Sequence, residues 1–143
     1  MKFKQYLLEK AKIIGMMDLP VMDDEVTQRD LKSLEIVLDR LFKSLGLDIE
    51  FTRHFHDRVN DHRNKKQITV AELQQIYSKT YAKFGKQLAN LKNDTQGVLD
   101  DMQDNINIPF ILKWDKKKNM VDLIAKTVMR KKGFKSKDRI FKV

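Results

Sequence analysis

Apolar positions recur along the chain with two periods, and the change from one to the other orders its elements. Phe3, Tyr6, Leu7 and Ile13 fall on one side of a short amphipathic helix over 3–13, which Gly15 ends. Residues 16–26, with Pro20 and the acidic run Asp23-Asp24-Glu25, read as a linker. A second helix starts at Thr27-Gln28-Arg29-Asp30, a capping pattern. Leu31, Leu34, Leu38, Leu41, Phe42 and Leu45 then keep three- and four-residue spacing until Gly46. That leucine face must pack, either in a core or against a second copy, so residues 27–45 are the candidate oligomer contact.

Ile49 to Thr52 alternates as a short strand, and 53–61 is helical with Phe55 and Val59 four apart. Arg63 to Gln67 is a polar connector. Thr69 to Glu72 is a capping box that opens a helix whose apolar period runs from Val70 to Leu91. Asn93 to Asn105 reads as a polar loop with a helical turn at Val98-Leu99. The period then becomes two. Ile106, Ile108, Phe110, Leu112 and Trp114 share one face, Asp115 to Asn119 turns, and Met120 to Arg130 returns as one strand of a β-hairpin. Pro109 puts the first strand at an edge, or points its missing amide away from the ladder. Helices followed by antiparallel strands predict an α+β fold: N-terminal helices, a long helix, and a small antiparallel sheet built on a C-terminal hairpin. Residues 1–26 form an N-terminal helix and linker, and 27–143 a single domain with a basic tail.

Composition sharpens this. A chain of 143 residues buries roughly 68–70% of its unfolded surface without a staple. It has no cysteine, which excludes disulfides, thiolate metal sites and cysteine nucleophiles. No apolar run approaches the ~20 residues of a membrane span, and charge breaks the N-terminus too often for a secretory signal core. The net charge of +9 is uneven. Residues 1–47 carry eight Lys/Arg and eight Asp/Glu, whereas 48–143 carry twenty-one and twelve. Such asymmetry favours a polyanion and makes its affinity salt-dependent; the plainer reading is a solubilising surface.

All three histidines lie within Arg53-His54-Phe55-His56-Asp57-Arg58-Val59-Asn60-Asp61-His62-Arg63. Helical spacing puts His54, Arg58 and His62 on one face. The histidines do not converge as metal ligands do, and the arginines repel a cation, so neither a metal nor a cofactor is expected. Phosphodiester cleavage suits them better. RNA supplies its own 2′-hydroxyl nucleophile, imidazole supplies an acid or base, and guanidinium grips phosphate. Lys126 and Arg130 on the second hairpin strand, and Lys113 on the first, complete the set if the sheet packs beside the histidine helix.

His54-Phe55-His56-Asp57-Arg58-Val59 followed by Ile68-Thr69-Val70-Ala71-Glu72-Leu73 resembles the opening of small RelE/barnase/EndoU/colicin-type nuclease domains, over about residues 50–132. The resemblance implies metal-independent RNA cleavage with His54 and Arg58 at the site, joined by Lys126, Thr127 or Arg130 from the late strand. Arg53, His62, Arg63, Lys113, Thr127, Lys131 and Lys132 are the expected RNA contacts. The chain has fewer clear strands than that fold. Met1 to Glu9 is similar to the capsid-targeting peptides of internal head proteins in T-even-type phages, and Leu7-Leu8-Glu9 fits their Leu-x-Glu cleavage pattern. The expectation is a ribonuclease-like phage protein in the host cytoplasm or the virion head, with RNA ahead of DNA as partner and head proteins as neighbours. The rival readings are a non-catalytic basic nucleic-acid-binding head protein or host-defence inhibitor, and a virion assembly protein.

Overall fold

The computed structural model describes residues 25–143, so the helix over 3–13, most of the acidic linker and the targeting-peptide resemblance lie outside the described residues. The architecture is α+β. Three α-helices, α1 (Gln28–Phe42), α2 (Arg53–Val59) and α3 (Val70–Ala89), accompany six strands: β1 (Leu47–Phe51), β2 (Gln96–Asp101), β3 (Ile106–Asp115), β4 (Met120–Ala125), β5 (Met129–Arg130) and β6 (Arg139–Lys142). The strands form one sheet in the order β1-β4-β3-β2-β6, with β5 on β3.

Local chemistry sets the helix ends. Thr27 and Thr69 each make a full capping box, with Asp30 and Glu72. Val26 belongs with the folded part rather than with the linker: it is buried in the same core as Leu31, the pair of positions that staples a helix start. Gly46 ends the first helical run at φ 72, its amide donating to the Lys43 carbonyl. The leucine face of α1 is spent internally. Leu31, Leu34, Leu38 and Phe42 join Leu73, Ile76, Tyr77 and Leu88 of α3 over Leu47, Ile49, Leu99, Ile106, Ile108, Phe110, Leu112, Leu123, Ala125 and Phe141 of the sheet. Ile36 and Val37 remain as the exposed apolar residues of α1.

The hairpin is present as β3 and β4, but the sheet is mixed rather than antiparallel. β1 runs parallel to β4 and β6 parallel to β2. The polar stretch around Val98-Leu99 is strand β2, not a helical turn, and the basic tail contains β6. Gly97 permits β2 to lie where it does: a Cβ there would sit 2.7 Å from Phe110 Cζ and 3.0 Å from Phe141 Cε1. Trp114 continues the apolar row of β3 yet lies beyond the core, 49% exposed.

Pro109 is not on an edge strand, since β3 is paired on both sides. Its nitrogen falls where the ladder stops. Lys126 N–H donates to the Pro109 carbonyl at 2.9 Å, and proline has no amide to return the bond. The Thr52 hydroxyl donates to the Lys126 carbonyl instead, at 2.9 Å. The expected strand 120–130 therefore breaks after Ala125 and resumes as β5, paired with Ile106 and Asn107. From β5 the chain must cross β3 and β2 to reach β6. It crosses the face away from the helices, where the Asn107 amide donates to the Lys131 carbonyl at 3.0 Å.

The outer edge of β1 is closed by carboxylates of α1. Asp39 Oδ1 accepts from Ile49 N–H at 2.7 Å and Glu35 Oε2 from Phe51 N–H at 3.4 Å. Burial first, and then the neighbouring Asp48 carboxylate, push the Asp39 carboxyl up to about 7. Folding thus takes up a proton between the ordinary 3.8 and about 7, and the stability this group contributes falls as pH rises through that window. Asp39→Asn keeps the acceptor for Ile49 and removes the titration. Urea unfolding should show the variant gaining on the wild type as pH rises from about 4 to about 7; parallel curves would contradict the assignment.

Candidate nucleic-acid interface

The histidine-rich segment is shorter as a helix than its spacing suggests. The Thr52 side chain caps α2 by accepting from Phe55 N–H at 3.0 Å, and Phe55 and Val59 anchor it in the core. Beyond Val59 the chain leaves the helix. His62 to Asn64 form a 3-10 turn, capped by Asp61, which accepts from Arg63 N–H at 2.8 Å. His62 therefore does not continue the face of His54 and Arg58. It is almost fully exposed, 3.8 Å from Asp61. His54 and Arg58 do meet: Arg58 Nε donates to His54 Nε2 at 3.4 Å, while Arg58 Nη1 reaches Asp61 Oδ2 at 3.1 Å. Arg63 grips the same carboxylate, with Nη2 at 2.8 Å. Arg53 stands exposed at the start of α2.

The late-strand residues divide differently from the expectation. Arg130 is interior. Its Nη2 and Nη1 bind Glu72 at 2.8 and 3.1 Å, and the remaining donors go to the carbonyls of Gln67 at 3.1 Å, Asp104 at 3.0 Å and Lys66 at 3.2 Å. All five guanidinium N–H groups are committed, which leaves none for phosphate. Burial alone would raise the Glu72 carboxyl, but Arg130 and the Thr69 amide hold it below its usual range. Lys126 starts beside the α2 cap, yet its ammonium bonds Gln96 on the sheet. Thr127 is half-buried in the strand break. Lys113 pairs with Asp94. Neither lysine contacts His54 or Arg58, so the structure does not assemble the full expected site.

It assembles another surface. Asn64, buried, donates to the Arg58 carbonyl at 2.9 Å and accepts from Arg130 N–H at 3.0 Å. Together with Arg130 it ties the 61–67 loop to β5. Lys65, held at φ 66, and Lys66 are exposed on that loop. Lys131 and Lys132 are exposed just after β5, with Lys131 N–H fixed to the Asn105 carbonyl at 2.8 Å. Arg63, Lys65, Lys66, Lys131 and Lys132 thus come from distant parts of the sequence to one end of the molecule. The expectation missed Lys65 and Lys66, read only as a connector, because their neighbours in space are about 65 residues away.

At the sheet's opposite border, Asp48, Glu50 and Asp122 bring carboxylate oxygens within 4.8 Å of one another. Lys118 answers that charge, 2.9 Å from Asp122, 3.7 Å from Glu50 and hydrogen-bonded to Asp48. No described helix is long and apolar enough to cross a membrane. Comparison with protein-family models, with curated proteins and with solved structures finds no match to this chain.

Arg130→Met would leave Glu72, a largely covered carboxylate, without its cation and with only its Thr69 hydrogen bonds. Urea denaturation should show a loss of roughly 3–5 kcal/mol, partly recovered in the Arg130→Met/Glu72→Gln double variant. A loss below about 1 kcal/mol would remove Arg130 from its structural role.

Proposed function

We propose that the protein binds RNA through this basic end. The observation that carries the reading is the pinning of the 61–67 loop to β5, which gathers Arg63, Lys65, Lys66, Lys131 and Lys132 on one surface while Arg130 stays inside. Such a surface meets phosphates and carries no base code of its own. Its helix, α2, spans seven residues, and a duplex reader normally lays a longer helix or a two-stranded ribbon into the major groove. A flexible single strand is the better fit.

The test is fluorescence anisotropy of a labelled single-stranded RNA over a salt series. The wild type should show a linear log–log slope. The quadruple variant Lys65→Ala, Lys66→Ala, Lys131→Ala, Lys132→Ala should lower that slope by about 3, near 0.7 for each phosphate contact. Equal slopes from a folded variant would defeat the reading.

A second reading, RNA cleavage, is favoured by the His54–Arg58 contact at 3.4 Å. One imidazole there would take the 2′-hydroxyl proton while the guanidinium holds the phosphate. The 2′-oxygen then bonds phosphorus, the bond from phosphorus to the 5′-oxygen breaks, and the imidazolium returns its proton to that leaving oxygen. The products are a 2′,3′-cyclic phosphate and a 5′-hydroxyl. Incubation with labelled RNA in EDTA should give those ends, and His54→Ala should abolish them. RNA left intact by the wild type across pH 5–8, the range over which an ordinary imidazole titrates, rules cleavage out and leaves binding standing.

A further inference from the structure

The two borders of the sheet are finished differently. On β1 the outward amides of Ile49 and Phe51 are covered by the α1 carboxylates, whereas β6 is the last strand on the other side. Its ladder fixes which groups point outward. β6 runs parallel to β2, with Ile140 opposite Val98 and Lys142 opposite Asp100, and Val143 N–H donates to the Asp100 carbonyl at 3.0 Å. Along a parallel strand the N–H and C=O of one residue point to the same side, and the side alternates. Phe141 and Val143 are thus spent on β2, while the N–H and C=O of Ile140 and Lys142 face away from the sheet. Among the described residues these groups have no partner. Cations flank them on both faces. Arg139 lies on the helix side, its Cζ 4.8 Å from the Phe141 ring centroid and its Nη1 3.1 Å from the Gln87 side-chain amide of α3. Lys83, one turn before Gln87, is exposed on the same side of α3. Lys142 extends from the opposite face, which it shares with the half-buried Ile140.

We infer that the free border of β6 takes up an extended acidic segment of a partner protein as an added strand. A row of alternating N–H and C=O groups at strand spacing is matched by another backbone. A phosphate chain brings acceptors only and would leave the outward carbonyls unanswered. The charges then choose the partner. Arginine and lysine on a border strand turn away a second β6, and the same charges attract carboxylates across the strands. In an antiparallel register, acidic residues opposite Arg139 and Lys142 frame an apolar residue beside Ile140. The inference does not rest on the RNA reading, since none of its groups belongs to the lysines that carry that proposal.

The experiment is amide hydrogen exchange on the full-length protein, alone and with the capped peptide Glu-Glu-Thr-Val-Glu-Glu. Alone, Phe141 and Val143 should be protected while Ile140 and Lys142 exchange freely. With peptide, Ile140 and Lys142 should both slow by about 10-fold, on one binding curve. Peptides N-methylated at every second amide sharpen the readout. One phase should lose binding and the other keep it, because only alternate amides of an added strand face β6. Arg139→Glu/Lys142→Glu, a change at two exposed positions, should weaken the peptide roughly 10-fold. Continued protection of Phe141 and Val143 shows that this variant is folded. Several results would overturn the inference: no slowing at millimolar peptide, unchanged affinity in the folded charge variant, or equal loss in both methylated phases. Protection of Ile140 and Lys142 without peptide would also do so. Growing with protein concentration, it would give the border to a second copy; independent of concentration, to the same chain. Single-stranded RNA that protects these amides as the peptide does would hand the surface to RNA. Loss of RNA binding in the quadruple lysine variant with peptide protection intact would strike the function proposed above and leave this border standing.

Discussion

The Arg130–Glu72 pair holds the basic end together. Moving two charges out of water costs several kcal/mol per ion before any attraction is counted. The arrangement is tolerable because no valence is left open: all five guanidinium hydrogens have acceptors, and the Glu72 carboxylate also receives the Thr69 amide at 3.0 Å. One ion pair thereby fixes the start of α3, the 61–67 loop, the β2–β3 turn and a strand only two residues long. The loop, the turn and the two-residue strand have little apolar surface of their own to be fixed by packing. The start of α3 differs, since Ile68, Val70 and Leu73 lie in the core. The cationic side chains around them are exposed, but the backbone that carries them is not free to drift.

The same pair explains what the sequence hid. The amphipathic helices and the hairpin were legible because their signals are local: Thr27 and Thr69 open capping boxes, and Ile106 to Leu112 alternate over a short stretch. Strands β2, β5 and β6 were not. Gln96-Gly97-Val98-Leu99-Asp100-Asp101 offers two large apolar residues among carboxylates, and β6 is four residues within a lysine-rich tail. They become strands because neighbours already in place supply the missing hydrogen bonds. The parallel partner of β1 lies more than seventy positions downstream, and no window of sequence records it.

The candidate site was half legible for a related reason. Charge is visible residue by residue, so the cationic character of 53–66 and 130–142 could be read directly. Which of those charges meets water could not. Arg130 looks like its neighbours Lys131 and Lys132 in sequence, yet it alone turns inward, because Glu72, 58 positions away, was already committed to capping a helix. His54 and Arg58 met as four-residue spacing predicts, whereas His62 did not, because Asp61 caps a new turn where the helix period had been extrapolated.

The carboxylates of α1 that occupy the outer amides of β1 also bear on self-association. A bare strand border is a template on which another chain can add. On the β1 side the template is already filled by Asp39 and Glu35. Among the described residues the other border is β6, which carries Arg139 and Lys142. Two copies meeting β6 to β6 would set the same charges against each other, while on the β1 flank the Ile49 and Phe51 amides are already taken.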